Sequence, residues 1–208
     1  QYRVLKVAGN VAEVLGMYAA NTSQKYNSTQ EFVTFPSGSK GQQYQGSDLD
    51  TYLNETFFAT LSATMQSAIV EKVVNQDLWD DLSSKPSNTT YYTFNGDTAR
   101  YFRNVGSGTV EVGKRNIYAL SITEVFDYLS LNAYGEFTKA DISLLFWNTD
   151  ATATNYENIW LRTATTYYIG SAYYVAAGYY LNDNYYNSAY AVHPAFQIDL
   201  SKVEWSAE

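Results

Sequence analysis

Tyrosine is the residue type in this sequence with the greatest capacity for contact chemistry. Of the 21 tyrosines in 208 residues, nine lie in the stretch YYIGSAYYVAAGYYLNDNYYNSAY, residues 167–190. Tyrosine pairs recur there every six residues, and Ala, Asn, Ser and Gly fill most of the intervals. Tyrosine supplies a large, rigid, amphipathic contact area, while Ser, Gly and Asn supply adaptable hydrogen bonds. The stretch therefore predicts a surface that recognises a protein or a cell-surface ligand.

The predicted ligand contacts are the tyrosines of this stretch and the small or polar residues between them. They are Tyr167, Tyr168, Tyr173, Tyr174, Ala176, Ala177, Tyr179, Tyr180, Asn182, Asp183, Asn184, Tyr185, Tyr186, Asn187, Ser188 and Tyr190. Two structural interpretations stay open beside this one. If the stretch forms plain strands, one tyrosine of each pair would enter the core. Each buried hydroxyl left without a hydrogen-bond partner would then lower the stability of the fold by about 1–3 kcal/mol. In a hexapeptide solenoid, Ile169, Val175 and Leu181 would mark successive turns.

Catalytic chemistry has few candidate residues in this chain. His193 is the only histidine, it precedes Pro194 in a predicted strand, and no nucleophile motif accompanies it. The carboxylate pairs Asp48/Asp50 and Asp80/Asp81 could serve general acid–base catalysis, but helix capping and solvation explain both. The absence of cysteine excludes disulfides, thiolate nucleophiles and most structural zinc sites. We therefore expect a protein that is not an enzyme and needs no cofactor or metal.

Charge and hydropathy narrow the possible partners. A formal net charge of -8 and an isoelectric point near 4.6 argue against nucleic acid and against anionic membrane surfaces. No apolar run approaches the roughly 18 residues that a membrane helix needs, so we expect no membrane insertion. The length suits one domain over 1–208.

Short helices and strands are predicted on both sides of the tyrosine-rich stretch. Gly9-Asn10 between two β-branched runs indicates a hairpin over residues 2–18. Ser47-Asp-Leu-Asp50 resembles a capping box that opens a helix at about 48–55, and helical apolar spacing predicts a second helix over 59–73.

The remainder of the chain is predicted to contain fewer regular elements. Residues 80–116 are loop-rich, 117–120 indicate a short buried strand, and Ser121-Ile-Thr-Glu124 opens a helix through about Leu131. The tail VHPAFQIDLSKVEW alternates as a closing strand. Together these elements predict an α+β fold in which the first and last strands pair.

The pattern WLR(S/T)…A..V…G…VRPAF, matched here by Ile159–Thr163, Ala172–Gly178 and Ala191–Phe196, resembles the C-terminal half of a family of C-type-lectin-like domains. Such domains occur in surface proteins of gut bacteria and in the variable proteins of diversity-generating retroelements. The segments YRVLKVAGN, SDLDTYLN, AIVEKVV and ALSITEV resemble the N-terminal half, so the resemblance spans nearly the whole chain.

The resemblance implies a C-type-lectin-like fold, similar to that of formylglycine-generating enzymes, with small antiparallel sheets, two to three helices and long irregular segments. Residues 160–196 would be the variable ligand-binding region, rewritten at adenines of a template and exposing both members of each tyrosine pair on an irregular backbone. The scaffold would be held by Trp160, Arg162, Gly178, Pro194 and Phe196, with His193 in a position where the family usually has Arg. The cysteine-dependent chemistry of formylglycine-generating enzymes is excluded here.

The same resemblance implies an extracellular location, on a bacterial cell surface or a phage virion. Two alternatives stay open. One is a fixed structural or adhesion module of a bacterial surface protein. The other is a calcium-dependent lectin, because Trp147-Asn-Thr-Asp150 is similar to a sugar-binding motif and Asn148, Asp150 and Asn155 could supply oxygen ligands.

Overall fold

The chain has an α+β architecture in which short strands outnumber helices. The structure, a computed structural model, describes residues 2–16, 23–79, 98–100, 108–128, 136–138, 145–146, 158–165, 169–176 and 180–204. The strands within these ranges are β1 (Tyr2–Ala8), β2 (Val11–Gly16), β3 (Gln24–Lys25), β4 (Phe32–Thr34), β5 (Lys40–Gln42), β6 (Ile69–Val70), β7 (Lys72–Trp79), β8 (Thr98–Arg100), β9 (Thr109–Arg115), β10 (Glu136–Thr138), β11 (Ile159–Thr165), β12 (Ser171–Ala176), β13 (Tyr180–Tyr185), β14 (Ala189–Tyr190) and β15 (Ala195–Asp199).

Three short helices lie between the strands. The first, α1 (Asp48–Thr51), continues as a π-helix over Tyr52–Phe57 and ends in an α-helical turn, Phe58–Thr60. Helix α2 is Ala63–Ala68, and helix α3 is Ile122–Tyr128. A 3-10 turn, Leu200–Lys202, follows the last strand. Within the ranges given above, no helix is long and apolar enough to cross a membrane.

Side-chain caps explain where the helices begin. The hydroxyl of Ser47 accepts from the backbone N–H of Asp50, and that of Ser62 accepts from Met65. At α3 the capping is reciprocal, because Ser121 Oγ accepts from the Glu124 N–H while Glu124 Oε2 accepts from the Ser121 N–H. The caps at Ser47 and Ser121 confirm the two helix starts predicted from the sequence.

The terminal sheet joins both ends of the described chain in the order β1-β2-β15-β6. The hairpin β1–β2 turns at Gly9, whose φ of 59° is in the left-handed region that glycine adopts without strain. The closing strand β15 pairs with β2, so the predicted pairing of the first and last strands is wrong by one strand. The outer strand of the hairpin, β1, forms the edge instead.

A second sheet carries the tyrosine-rich stretch, in the order β13-β12-β11-β7-β9. Its pairs are antiparallel except for β11 beside β7, which are parallel. The described residues also form three two-stranded sheets, β10 with β8, β14 with β3, and β4 with β5.

The two large sheets share one hydrophobic core, to which helix α3 contributes Val125. The largest fully buried side chains include Trp160, Tyr26, Tyr118 and Phe196. An ion pair lies beside this core. Arg162 of β11 contacts Glu124 of α3, with 2.6 Å between Nη1 and Oε2. The charges of Arg162 and Glu124 therefore compensate each other.

Three sequence predictions differ from the structure, and in the first of them sheet pairing overrides local helical spacing. The helix predicted over 59–73 covers only Ala63–Ala68, because β6 pairs with β15 and β7 with β9 beyond it. The predicted loop-rich segment 80–116 contains β9, and in 117–120 only Tyr118 forms a bridge, with Ala195. The predicted hairpin at Gly9-Asn10 and the closing strand are confirmed.

Candidate ligand-binding surface

Within the tyrosine-rich stretch, β12 and β13 pair as two regular antiparallel strands. The register sets Tyr173 opposite Asp183 and Tyr174 opposite Asn182. Successive side chains of a strand point to opposite faces, so Tyr173 and Tyr174 cannot share one. We call this pair of strands the tyrosine hairpin, residues 171–176 and 180–185.

One face of the tyrosine hairpin packs on a cluster of four aromatic rings, Tyr26, Trp160, Tyr174 and Tyr190, which we call the aromatic base. The ring centre of Tyr190 lies 4.6 Å from those of both Trp160 and Tyr174, and Tyr26 meets Trp160 edge-on at 5.5 Å. The indole N–H of Trp160 donates to the Gln24 carbonyl at 2.9 Å. Edge-on and tilted aromatic pairs of this kind stabilise beyond the area they bury, by about 0.5–1.5 kcal/mol.

Asparagine amides satisfy the hydroxyls of the aromatic base. Asn182 Nδ2 donates to the Tyr174 hydroxyl at 3.1 Å, and Asn184 Nδ2 donates to the Tyr190 hydroxyl. Both asparagines come from β13 and are half-buried. The penalty for burying tyrosine hydroxyls is thereby avoided.

The end of the tyrosine hairpin where β12 begins and β13 ends leaves apolar and polar side chains in solvent. Tyr185 is 56% exposed and Ile169 is 46% exposed, and Asn187 is also exposed. Tyr186 and Ser188 are half-buried beside them. We call these five residues the hairpin rim.

Backbone hydrogen bonds fix the hairpin rim in place. The N–H of Tyr186 donates to the Gly170 carbonyl at 2.9 Å, its carbonyl accepts from Asn27, and the N–H of Ser188 donates to the Tyr185 carbonyl at 3.0 Å. Gly170 lies so close to its neighbours that an added Cβ would be 2.6 Å from Gln30 Nε2. The exposed side chains therefore stand on an ordered backbone.

The predicted contact residues divide by exposure. Tyr174 and Ala176 are buried, at 7% and 3%, and have little surface to offer a ligand. Tyr185 and Asn187 are exposed, and the half-buried residues are Tyr173, Asn182, Asp183, Asn184, Tyr186, Ser188 and Tyr190. Tyr167, Tyr168, Ala177 and Tyr179 lie outside the described residues, as does the side chain of Tyr180.

The expectation that both members of a pair face outward is wrong at Tyr173/Tyr174, because β12 is a regular strand whose faces alternate. A solenoid turn is also wrong here, since β12 and β13 are antiparallel neighbours. Ile169, a rim residue, was not among the contacts predicted from the sequence. The one feature that could have indicated it is that an isolated large apolar residue stands next to a turn glycine.

The predicted scaffold residues that the structure describes are buried. Trp160, Arg162, Pro194 and Phe196 all lie in the interior, whereas Gly178 lies outside the described residues. Pro194 accepts from the Gly16 N–H at 2.9 Å through its carbonyl. This bond holds the segment before β15 against the end of β2.

His193 is structural in this setting. It is 7% exposed and its ring meets Phe146 edge-on at 6.0 Å. Burial lowers the pKa of His193 to about 4, so the imidazole is neutral at physiological pH.

The carboxylates considered for acid–base chemistry or metal binding have structural contacts where they can be seen. Asp50 is buried and accepts two hydrogen bonds of 2.7 Å from Arg115, and Asp48 accepts from Ser28. Within the described ranges, no group of three or more His, Asp or Glu side chains is arranged to hold a metal ion. Asp80, Asp81 and the proposed calcium ligands Asn148, Asp150 and Asn155 lie outside those ranges.

Residues 25–200 match a protein family described as "Domain of unknown function (DUF6273)". The match covers most of the chain, which therefore belongs to that family. No curated protein and no solved structure matches the chain.

Proposed function

We propose that this member of the DUF6273 family is a non-enzymatic ligand-binding domain of C-type-lectin-like fold that takes its ligand on the hairpin rim. The observation that carries the proposal is the contrast in exposure between the hairpin rim and the aromatic base. Tyr185 and Ile169 are about half exposed, while Trp160 and Tyr174 are packed in the aromatic base.

The rim has the composition of a recognition surface. An aromatic side chain buries about 150–250 Å² when it is covered, so Tyr185 and Tyr186 with Ile169 would form the apolar anchor of a contact. Asn187, Ser188 and the half-buried Asp183 would supply hydrogen bonds around it. Because the backbone beneath is ordered, binding would cost little additional entropy.

We further propose that the rim is diversified by a retroelement, in a protein displayed on a bacterial surface or a virion. This rests on the sequence resemblance of residues 159–196 and on the Tyr, Asn, Asp, Ser and Ala that adenine rewriting of Asn codons produces. The division into base and rim supports it, because rim side chains can change without disturbing the aromatic packing.

The experiment is to sequence the DNA around the coding region and search for a reverse transcriptase gene and a second copy of the segment encoding residues 160–196. The proposal expects a template that differs only at adenines and whose variable codons include Tyr185 and Asn187 but exclude Trp160 and Pro194. Absence of any such copy, with identical rim residues in sister genes, would instead indicate a fixed adhesion interface.

A further inference from the structure

A cleft of about 590 Å³ opens between the terminal sheet and helix α3, and it shares no residue with the hairpin rim. Its volume lies within the range of about 300–1,000 Å³ that is usual for small-molecule sites. The lining residues are Leu5, Lys6, Ala8, Val11, Glu13, Lys72, Glu124, Asp127, Tyr128 and Gln197.

The two walls of the cleft follow from regular geometry. On the sheet side, the register aligns Lys6 of β1 and Gln197 of β15 on either side of Glu13 in β2, so the three side chains form one cross-strand row. On the helix side, Glu124, Asp127 and Tyr128 are spaced i, i+3, i+4 and share one face of α3. Both walls therefore present polar groups to the same space.

Ion pairs at the floor hold the carboxylates in place. Lys72 Nζ lies 2.5 Å from Glu13 Oε1 and 3.0 Å from Glu124 Oε1, and Tyr118 donates its hydroxyl to Glu13. Burial alone would raise the pKa of Glu124, but Arg162 and Lys72 lower it to about 2. Burial and the charge of Glu13 raise the pKa of Tyr118, which keeps its hydroxyl a donor. Glu124 is thus ionised, and Glu13 and Glu124 are both held in position before any ligand arrives.

Formal charge selects against strongly charged ligands. Two lysines and three carboxylates line the cleft, and Arg162 behind Glu124 supplies a third cation, so the charges cancel. Among the residues that the structure describes, the Lys6 ammonium and the Gln197 amide have no side-chain hydrogen-bond partner. Both residues are register partners of Glu13 in the cross-strand row. Leu5, Ala8 and Val11 add an apolar patch next to these polar groups.

We propose that this cleft is a binding site for a small uncharged ligand with several hydroxyl groups, of which a monosaccharide is the simplest example. Hydroxyls both donate and accept, which suits a wall of fixed carboxylate acceptors beside ammonium and amide donors. The carbon skeleton would cover the apolar patch. Ligand binding here needs no metal and is independent of the hairpin rim.

The test is NMR titration of the domain with a panel of neutral monosaccharides at millimolar concentration. A diamine and a dicarboxylate serve as charged probes. We expect at least one sugar to shift the backbone amides of Ala8, Val11 and Gln197 in a saturable way, with excess chelator present and without shifts at Tyr185. The charged probes should leave these amides unchanged.

Two matched variants place the site. Ala8→Trp would fill the cleft from β1 and should weaken sugar binding at least tenfold. Val7→Trp is its control, because Val7 is 56% exposed and its side chain points to the opposite face of the same strand. The proposal is overturned if no sugar shifts these amides, if Ala8→Trp and Val7→Trp bind equally, or if a charged probe is preferred.

Discussion

His193 shows how one buried side chain makes stability depend on pH. Its ring lies in the interior beside Phe146, and loss of hydration lowers its pKa from 6.5 to about 4. Between those values the unfolded chain binds more protons than the folded one, so stability falls as pH falls. The contribution is complete above pH 6.5 and is lost as pH drops toward 4.

Replacing His193→Phe should remove that pH dependence while keeping a ring of similar shape. We expect the wild-type protein to lose about 2 kcal/mol of unfolding free energy from this group between pH 7 and pH 5, a loss absent from the variant. Urea unfolding at the two pH values measures it. Glu124, with its pKa near 2, titrates below this range in the folded state. Equal losses in both proteins would show that His193 is protonated without unfolding.

At the scale of elements, the Arg162–Glu124 pair fixes helix α3 against β11. Arg162 also donates to the carbonyls of Asn75 and Ala119, so one guanidinium joins three segments of the chain. Its loss would leave the partly buried Glu124 with Lys72 as its one cationic partner among the described residues.

We predict that Arg162→Met lowers the unfolding free energy by about 3–5 kcal/mol, the usual effect of breaking a buried pair. Lys114→Met is the matched control, because Lys114 and Glu71 are 69% and 54% exposed and 3.6 Å apart. Its effect should stay within about 1 kcal/mol. Chemical denaturation compares the two, and equal effects would contradict the role given to Arg162.

Close packing of β5 on the second sheet is also testable. A Cβ added at Gly41 would lie 2.7 Å from both Ala164 Cβ and Leu78 Cδ1. Gly41→Ala should therefore cost about 1–3 kcal/mol, whereas Lys40→Ala on the same strand, an exposed position, should change stability by less than about 0.5 kcal/mol. Thermal unfolding of the two variants would show the difference, and a neutral Gly41→Ala would mean that β5 can move away.

Local signals predicted the elements whose determinants are local. Ser47 and Ser121 cap helices through residues three positions away, and Gly9 turns a hairpin between adjacent strands. The strand β7 was missed because its partners, β9 and β11, lie about 35 and 85 residues further on. Helical spacing in Leu61–Ile69 gave no warning of that pairing.

Composition was enough to locate the candidate site, but it could not tell which of its tyrosines are buried and which are exposed. Nine tyrosines in 24 residues indicate a special surface, yet which of them are buried depends on the register of β12 against β11 and β13. Tyr174 faces Trp160 because Trp160 is its register partner. The cleft residues Glu13, Lys72 and Glu124 come from three segments that are distant in sequence. Their spacing along the chain therefore could not predict the cleft.

At the scale of the whole molecule, the aromatic base and the hairpin rim have different roles. The aromatic base joins β3, β11, β12 and β14 to the core, while the hairpin rim stands on an ordered backbone in solvent. If the rim serves a ligand, its side chains should be dispensable for folding.

The most direct measurement is the unfolding free energy of two variants made at these two places. In the rim variant Ile169→Ser/Tyr185→Ser/Asn187→Ala, each of the three substitutions should change the unfolding free energy by no more than about 0.5 kcal/mol, because exposed side chains contribute little to stability. The base variant Tyr174→Ser/Tyr190→Ser should lose several kcal/mol, because large-to-small changes of buried aromatics such as Tyr174 typically cost about 3–5 kcal/mol and the half-buried Tyr190 packs on Trp160. A loss of several kcal/mol from the rim variant would place its side chains in the structural framework and contradict a ligand-binding rim.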